Sequence, residues 1–244
     1  YFNANSTLIP WGLKTGNLTL KPNSVVHSIL YDEDQKKAIG VRVIDSNSKV
    51  SQDYFAKVVF VSASTLNTNL ILLNSKSKRF PNGLGNDNGL LGKFIAFHNY
   101  RATINAEFEG FPQYTTEGAK PTSHYIPRFR NVYRQETDFL RGYAAGFGAQ
   151  PNRETNKEGF GAELSNQLLS TKETGVWNVN SHMMGETIPK ESNLVSLDQE
   201  KKDAWGIPLL NIDVDYDGND EKMIQDFYEQ FSEMYEKSGF VKIK

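Results

Sequence analysis

The stretch that decides the fold is KVVFVSASTLNTNLILLNS, residues 57–75. Residues 58–61 form a continuous β-branched and aromatic run, which predicts a strand buried on both faces. Small residues follow at 62–64, and apolar residues then recur at helical spacing over residues 66–73. The stretch therefore predicts half of a βαβ unit, whose turn is where α/β folds bring a nucleotide cofactor against the main chain. Ordinary close packing of a strand on a helix uses the same residues, so a purely structural reading stays open.

Length and composition exclude several classes of protein. The chain has 244 residues, enough for one large domain or two small ones, with 38% hydrophobic and 23% charged residues, as in globular proteins. The 27 basic and 29 acidic residues give a net charge of −2, so no nucleic-acid partner is indicated. No apolar run is long enough to span a membrane. The absence of cysteine excludes disulfides and cysteine nucleophiles, and leaves the compartment open between cytoplasm and periplasm.

The first part of the chain reads as a β-meander that leads into this stretch. From residue 18, β-rich runs are separated by polar turns at residues 32–37 and 45–49, which predicts a three-stranded antiparallel meander. Glycines between residues 83 and 92 favour a plain connection between domains over a phosphate-binding loop, because no Lys-Ser/Thr pair accompanies them. We place the domain boundary after residue 95.

The second part, residues 96–244, reads as alternating strands with two helices, predicted over residues 160–169 and 220–237. The second helix carries an apolar stripe from Met223 to Tyr235. These patterns predict a mainly antiparallel sheet with a long helix packed on it. The fold class is therefore α+β or α/β, with a β-meander and a βα unit followed by the antiparallel domain. A loop at residues 110–121 is a candidate lid or arm for homo-oligomer formation.

Three further features are candidate sites. His98 lies at the predicted domain junction, and either takes part in a ligand site or fixes the junction through a hydrogen bond. The alternating aspartates from Asp213 to Asp217 match half of a calcium loop, but position twelve is Ile224. The alternating aspartates are better explained by a strand whose residues 212, 214 and 216 face inward, followed by an Asp or Asn that caps the next helix. We therefore assign no metal site.

The segments at residues 23–32, 38–43 and 56–66 together resemble the glucose-methanol-choline (GMC) oxidoreductases, flavoenzymes that oxidise alcohols and sugars. The resemblance extends to the helix ending in Ser75, to the segment LGKFIAFH at 91–98, and to the turn DAWGIP at 203–208. The sequence departs from the family at residues 62–64, which lack the usual glycine, and at Phe97, where the family has Asp. Within the family, the bacterial branch of pyranose oxidase-like and gluconate or sorbitol dehydrogenase-like enzymes is the most similar.

The resemblance implies a partial FAD-binding domain at residues 1–95 and a substrate-binding domain at 96–244. It implies cofactor contacts from Val26, by its backbone near the adenine, and from the turn Ser62, Ala63 and Ser64. It leaves His98 as a substrate or junction candidate. In the family a histidine takes the hydroxyl proton while hydride passes to the flavin. We assign no catalytic residue, because the His182 motif HMMG stands in the wrong order for the family's histidine.

Two hypotheses follow. The first is that the chain, which starts at Tyr1 without Met, is an internal fragment of an FAD-dependent oxidoreductase acting on CH–OH groups of alcohols or sugars. The fragment itself is then expected to be inactive and not to bind FAD well. The alternative is a non-catalytic carbohydrate-binding or interaction module on a degenerate flavoenzyme scaffold, with sugars stacking on sheet aromatics at Tyr114, Tyr125, Tyr133, Tyr143 and Trp177. The first hypothesis further predicts that residues 58–61 are less covered than their sequence implies, or that a substitute element covers them.

Overall fold

The structure is a computed structural model, and it describes residues 2–111, 124–151, 158–170 and 175–244. Two compact units make up the chain. The first unit combines Tyr1–Ile95 with Lys190–Val214, and the second combines Ala96–Pro189 with Asp215–Lys244. The first division thus falls after residue 95, and residues 190–214, which the sequence analysis assigned to the second domain, return to the first unit.

The first unit is built on an antiparallel meander in which strand order follows chain order. Gly40 allows the middle and third strands to approach closely, because a Cβ atom there would lie 2.1 Å from the Tyr54 carbonyl oxygen. Residues 18–20, predicted as a further β run, have no regular structure. The elements are helix α1 (Leu8–Lys14) and strands β1 (Ser24–Asp32), β2 (Lys37–Asp45) and β3 (Ser51–Phe55).

Helix α2 (Ser64–Asn74) packs on this meander, as its leucine spacing predicts. Its end is held by Ser75, whose hydroxyl donates to the Ile71 carbonyl at 2.6 Å and accepts from the Ile29 N–H at 2.7 Å. The Asn74 side chain donates to the His27 carbonyl at 3.0 Å. Polar side chains at the end of α2 therefore satisfy main-chain groups of β1.

The prediction of a buried strand at residues 58–61 is wrong. These residues form no strand in the structure, and the side chains of Val58 and Phe60 are 65% and 89% exposed. A β-branched run becomes a buried strand only when neighbouring strands pair its main chain, and β3 ends before it at Phe55. The companion prediction, that residues 58–61 are less covered than their sequence implies, is confirmed.

A two-stranded antiparallel hairpin completes the first unit. Its turn is organised by Asp203, whose carboxylate accepts from the N–H groups of Trp205 and Ile207 at 2.8 and 2.9 Å. The Trp205 indole N–H donates to the Ser46 carbonyl at 3.1 Å, which ties the turn to the meander. The hairpin strands are named β9 (Leu194–Lys202) and β10 (Pro208–Asp213), after the eight strands that precede them along the chain.

The second unit contains a five-stranded antiparallel sheet. The elements are β4 (His98–Asn99), β5 (Thr103–Phe108), β6 (His124–Ile126), β7 (Tyr143–Pro151), helix α3 (Gly161–Ser170) and β8 (Trp177–Glu186). The strand order is β4-β8-β7-β6, and β5 also pairs with β8. The strand patterns predicted from the sequence correspond to β5, β6, β7 and β8, with ends shifted by several residues, whereas the short strand β4 was not predicted.

Helix α4 (Gly218–Lys237) covers one face of this sheet and confirms the predicted long helix. Four residues of its apolar stripe are buried in one core cluster with sheet residues such as Ile104 and Met183. Burial of each large apolar side chain contributes about 1.5–3 kcal/mol, so this stripe explains the position of the helix. The buried stripe residues are Met223, Phe227, Phe231 and Tyr235. Within the described ranges, no helix is long and apolar enough to cross a bilayer.

Candidate functional site

An apolar cleft of about 430 Å³ opens in the first unit between the meander and residues 56–63. Val26 on β1 forms part of one wall, and Ser62 and Ala63 form part of another. Three of the four residues proposed as cofactor contacts therefore line one cleft, although Val26 is far in sequence from the adjacent pair Ser62–Ala63.

The main chain beside the cleft is open to hydrogen bonding. The Ala56 N–H donates to the Ile39 carbonyl at 2.9 Å, and beyond it the N–H groups of residues 57–62 have no acceptor in the described parts of the chain. These N–H groups have no strand partner, since the segment is not paired with the meander. A ligand in the cleft would therefore lie against apolar side chains and beside a main-chain segment whose N–H groups are free to donate.

Ser64, the fourth proposed contact, differs from the other three. It is the first residue of α2, has a left-handed φ of 64°, and does not line the cleft. A non-glycine residue at positive φ is uncommon and costs about 1–3 kcal/mol, and it sets the sharp bend between residues 57–63 and the helix.

The chemistry of the cleft fits one part of FAD. The cleft lining contains apolar side chains, Ser62 and the Tyr54 ring, and none of its lining side chains is charged. A flat, uncharged heteroaromatic ring such as adenine suits apolar walls with main-chain donors at their edge. Phosphates need cationic or convergent N–H partners, so the lining does not fit the pyrophosphate.

A second candidate region is the face of the five-stranded sheet opposite α4. His98 on β4 is exposed and pairs with Glu186 on β8, and its ring meets the Tyr100 ring at a centroid distance of 5.6 Å. Tyr100 in turn lies 6.1 Å from the His182 ring. The structure therefore brings together His98 and His182, two histidines that the sequence analysis considered separately.

A glycine on the adjacent strand leaves room for the His182 ring. Gly146 lies opposite His182 in the β7–β8 pairing, and a Cβ atom at Gly146 would lie 2.2 Å from His182 Cε1. The imidazole therefore lies over the β7 main chain, on a rigid strand. Any side chain at residue 146 would displace the ring.

A polar cleft of about 690 Å³ occupies the far end of the same face, and amide side chains line it together with the charged Glu107, Lys242 and Lys244. Asn180 Nδ2 donates to Asn105 Oδ1 at 2.8 Å across the β5–β8 pair. Asn178 and Gln150 also line the cleft, and the structure shows no hydrogen-bond partner for their side chains among the residues it describes. Amides offer both donors and acceptors, so this face is suited to ligands that carry several hydroxyl groups.

These amide residues were not among the predicted site residues, although the sequence carries a signal for them. Asn178, Asn180 and His182 recur at every second position of β8, between the buried Val179, Ser181 and Met183. Period-two alternation places such residues on the open face of a strand. The alternation does not predict which strand pairs with β8, and it therefore does not predict that Asn105 contacts Asn180.

The proposed stacking aromatics occupy different environments. Tyr143 is buried in the core, where its hydroxyl donates to Asp226 Oδ2 at 2.6 Å. Burial raises the pKa of the Tyr143 hydroxyl far above its usual value, and the hydrogen bond to the negatively charged Asp226 raises it further. Tyr125 and Tyr133 are exposed. The Trp177 indole N–H donates to the Phe111 carbonyl at 3.3 Å. Tyr114 and most of the loop at 110–121 lie outside the described residues. Tyr143 is therefore a core residue.

The aspartates after β10 cap α4. Asp217 accepts from the Asn219 and Asp220 N–H groups, and the Asp220 side chain accepts from the Asp217 N–H at 3.0 Å, which forms a capping box. The prediction of an Asx cap at this place is confirmed. The predicted inward orientation is wrong for Ile212 and Val214, which are 52% and 40% exposed. In the described ranges, no group of three or more His, Asp or Glu side chains could hold a metal ion.

Comparison with known proteins agrees with this architecture. Residues 3–98 match the family model of the GMC oxidoreductases. The chain is 32% identical over 202 residues to 2-methyl-1,2-propanediol dehydrogenase of Mycolicibacterium austroafricanum, which covers 75% of this chain and 34% of that protein. It is 26% identical over 200 residues to the fructose dehydrogenase large subunit of Gluconobacter japonicus, which covers 80% of this chain and 35% of that protein.

The meander and helix α2 lie within the residues that match the family model. The chain belongs to the GMC oxidoreductase family, whose members in general depend on FAD. It spans about a third of the length of the relatives given above.

Proposed function

We propose that the chain forms part of an FAD-dependent oxidoreductase that acts on CH–OH groups of alcohols or sugars. Support comes from two relatives whose names specify a diol and a ketose as what they dehydrogenate. One observation in this structure carries the proposal. Val26 and the pair Ser62–Ala63, which the family resemblance singles out as cofactor contacts, converge on one cleft.

In this proposal the cleft holds the adenine end of FAD. Val26, Ser62 and Ala63 line the space for the ring, and the acceptor nitrogen atoms of the ring take hydrogen bonds from free N–H groups within residues 57–62. FAD supplies the acceptor for the hydride that leaves the substrate carbon. The 244 residues contain no GxGxxG turn for the pyrophosphate, so this chain by itself is expected to bind FAD weakly and to show no turnover.

The substrate is proposed to lie on the open face of the five-stranded sheet. His98, Tyr100 and His182 offer ring nitrogens and a phenol, and the pair Asn105–Asn180 offers amides to substrate hydroxyls. Each group stands on a strand or beside one, which holds it in a fixed position. No catalytic base is assigned to either histidine.

The cofactor part is tested by titrating the chain with AMP, followed by NMR. We expect shifts at residues lining the cleft, and Ala63→Trp should weaken AMP binding at least tenfold because the indole fills the space. Val50→Trp is the matched control, since Val50 is an exposed valine of the same unit outside the cleft. Equal AMP affinity in both variants would exclude the cleft as the adenine site.

The reaction is tested on the full product of the gene that encodes the chain. It should purify with flavin absorbance and reduce an artificial electron acceptor with 2-methyl-1,2-propanediol, fructose or a related polyol. Asn180→Leu keeps the side-chain size and removes the amide, so it should raise KM for a sugar with less effect on kcat. A flavin-free product without such activity would overturn the proposal.

A further inference from the structure

We propose that Asn88 is a site of spontaneous deamidation, and that the fold protects Asn82, the other Asn-Gly site in the same loop. Both asparagines are exposed and both are followed by glycine, at Gly89 and Gly83. Sequence alone therefore makes the two sites equivalent. The structure distinguishes them.

The reaction has defined atomic requirements. The backbone nitrogen of the following residue attacks the asparagine Cγ, the Cγ–Nδ2 bond breaks, and ammonia leaves with the proton that the backbone nitrogen loses. Water then opens the resulting succinimide at either carbonyl, which gives aspartate or isoaspartate, and no oxidant is needed. A free and unobstructed backbone nitrogen after the asparagine is thus the condition for reaction.

Gly89 meets this condition. Its φ is +72°, no atom lies within 4 Å of the place where a Cβ would stand, and its N–H has no acceptor among the residues that the structure describes. The Leu90 N–H donates to Asn88 Oδ1 at 3.2 Å. That donor stabilises the negative charge that develops on the oxygen as the nitrogen attacks, as an oxyanion hole does.

Gly83 does not meet the condition of a free and unobstructed backbone nitrogen. It is buried, its N–H donates to the Phe80 carbonyl at 3.3 Å, and its own carbonyl accepts from the Asn86 N–H at 3.1 Å. A Cβ at Gly83 would lie 2.9 Å from both the Leu72 carbonyl oxygen and Leu73 Cα. The Gly83 nitrogen is therefore held by the packing of the loop on α2.

Conversion of Asn88 adds a negative charge beside Asp87, whose carboxylate pairs with Arg79. Isoaspartate also inserts one atom into the main chain. The modification thus changes both charge and geometry at an exposed point of the first unit, and it accumulates with the age of the protein.

The test is to incubate the folded chain in mildly alkaline buffer and to map deamidation by mass spectrometry. Cleavage after Arg79 and Lys93 places both asparagines in one peptide, and fragmentation of that peptide separates them. We expect Asn88 to convert at least tenfold faster than Asn82. In concentrated urea the two rates should become similar, because the difference arises from the fold.

Two variants serve as references. Asn88→Gln should remove the fast conversion and leave the slow one, and Asn88→Asp supplies the mass and charge of one product. Similar rates at Asn82 and Asn88 in the folded protein would overturn the proposal, and so would a rate ratio that urea leaves unchanged.

Discussion

The hydroxyl of Ser75 accepts the main-chain N–H of Ile29 at 2.7 Å, and both residues are buried. The N–H belongs to β1, on the edge that β2 does not cover, so no strand bonds it. The helix end therefore provides the hydrogen bond that a neighbouring strand would otherwise make.

Replacing Ser75 by Ala should destabilise the first unit. The Ile29 N–H would remain buried without an acceptor, which costs about 1–3 kcal/mol. Urea denaturation followed by circular dichroism measures the change in unfolding free energy. Ser51→Ala on exposed β3 is the control and should change it by less than about 0.5 kcal/mol. Equal effects of the two variants would contradict the role of Ser75.

A methyl group at Gly40 should separate β2 from β3. The new Cβ would lie 2.1 Å from the Tyr54 carbonyl oxygen, and relief requires movement of the main chain. We expect a loss of about 1–3 kcal/mol in unfolding free energy, together with weaker AMP binding, because Gly40 also lines the cleft. Gly148→Ala on β7 is the matched control, since among the residues that the structure describes, chain neighbours aside, none has an atom within 4 Å of its Cβ position. A stable Gly40→Ala variant would show that the strands are further apart.

Phe60 tests whether residues 57–62 are uncovered. With 89% of its surface exposed, Phe60→Ser should leave the unfolding free energy within about 0.5 kcal/mol of the original. A phenylalanine in a buried strand would instead cost about 3–5 kcal/mol on truncation. Phe227→Ala, in the core of the second unit, gives the scale for a buried ring. A loss at Phe60 comparable to that at Phe227 would show that the segment is packed.

His27 should make stability depend on pH. Burial lowers the pKa of its imidazole below 6.5, and the positive charge of Arg42 lowers it further, whereas Asp203 acts in the opposite direction. The unfolded chain therefore binds a proton near pH 6.5, while the folded protein binds it only at lower pH. Unfolding free energy should fall as pH decreases through this window, and the loss is complete below the folded pKa.

The measurement compares chemical denaturation of the original chain with that of His27→Gln across this pH window. The substitution should flatten the slope, because no imidazole titrates at this position. His124→Gln, on exposed β6, controls for a histidine outside this environment. A slope that both variants share with the original chain would assign the pH effect to other groups.

Local patterns in the sequence predicted a large part of the fold. The turns at residues 32–37 and 45–49 and the stripe of α4 depend on neighbouring residues, and the meander and the helix followed from them. The placement of residues 190–214 in the first unit depends on contacts such as Trp205 with Ser46, which no local pattern contains. The strand prediction within residues 57–62 failed for a related reason. The composition of the segment favours a strand, but strand pairing also depends on residues elsewhere in the chain.

The candidate site was predictable to a different degree in each unit. Val26, Ser62 and Ala63 followed from family resemblance, and the structure places them along one cleft. The amide face followed from neither source, because Asn105 and Asn180 meet only when β5 pairs with β8 in the observed register. Strand alternation indicates which side chains face outward, and register decides which of them meet.

The open segment at residues 57–62 has one more consequence. It combines free main-chain N–H groups with exposed Val58 and Phe60 and contains no proline, which is the composition of segments that add to the strands of other molecules. Lys57 is the only charge within it and acts as a gatekeeper against such addition. The isolated chain is therefore expected to self-associate into β-rich aggregates as its concentration rises, and more readily at high salt, where the lysine charge is screened.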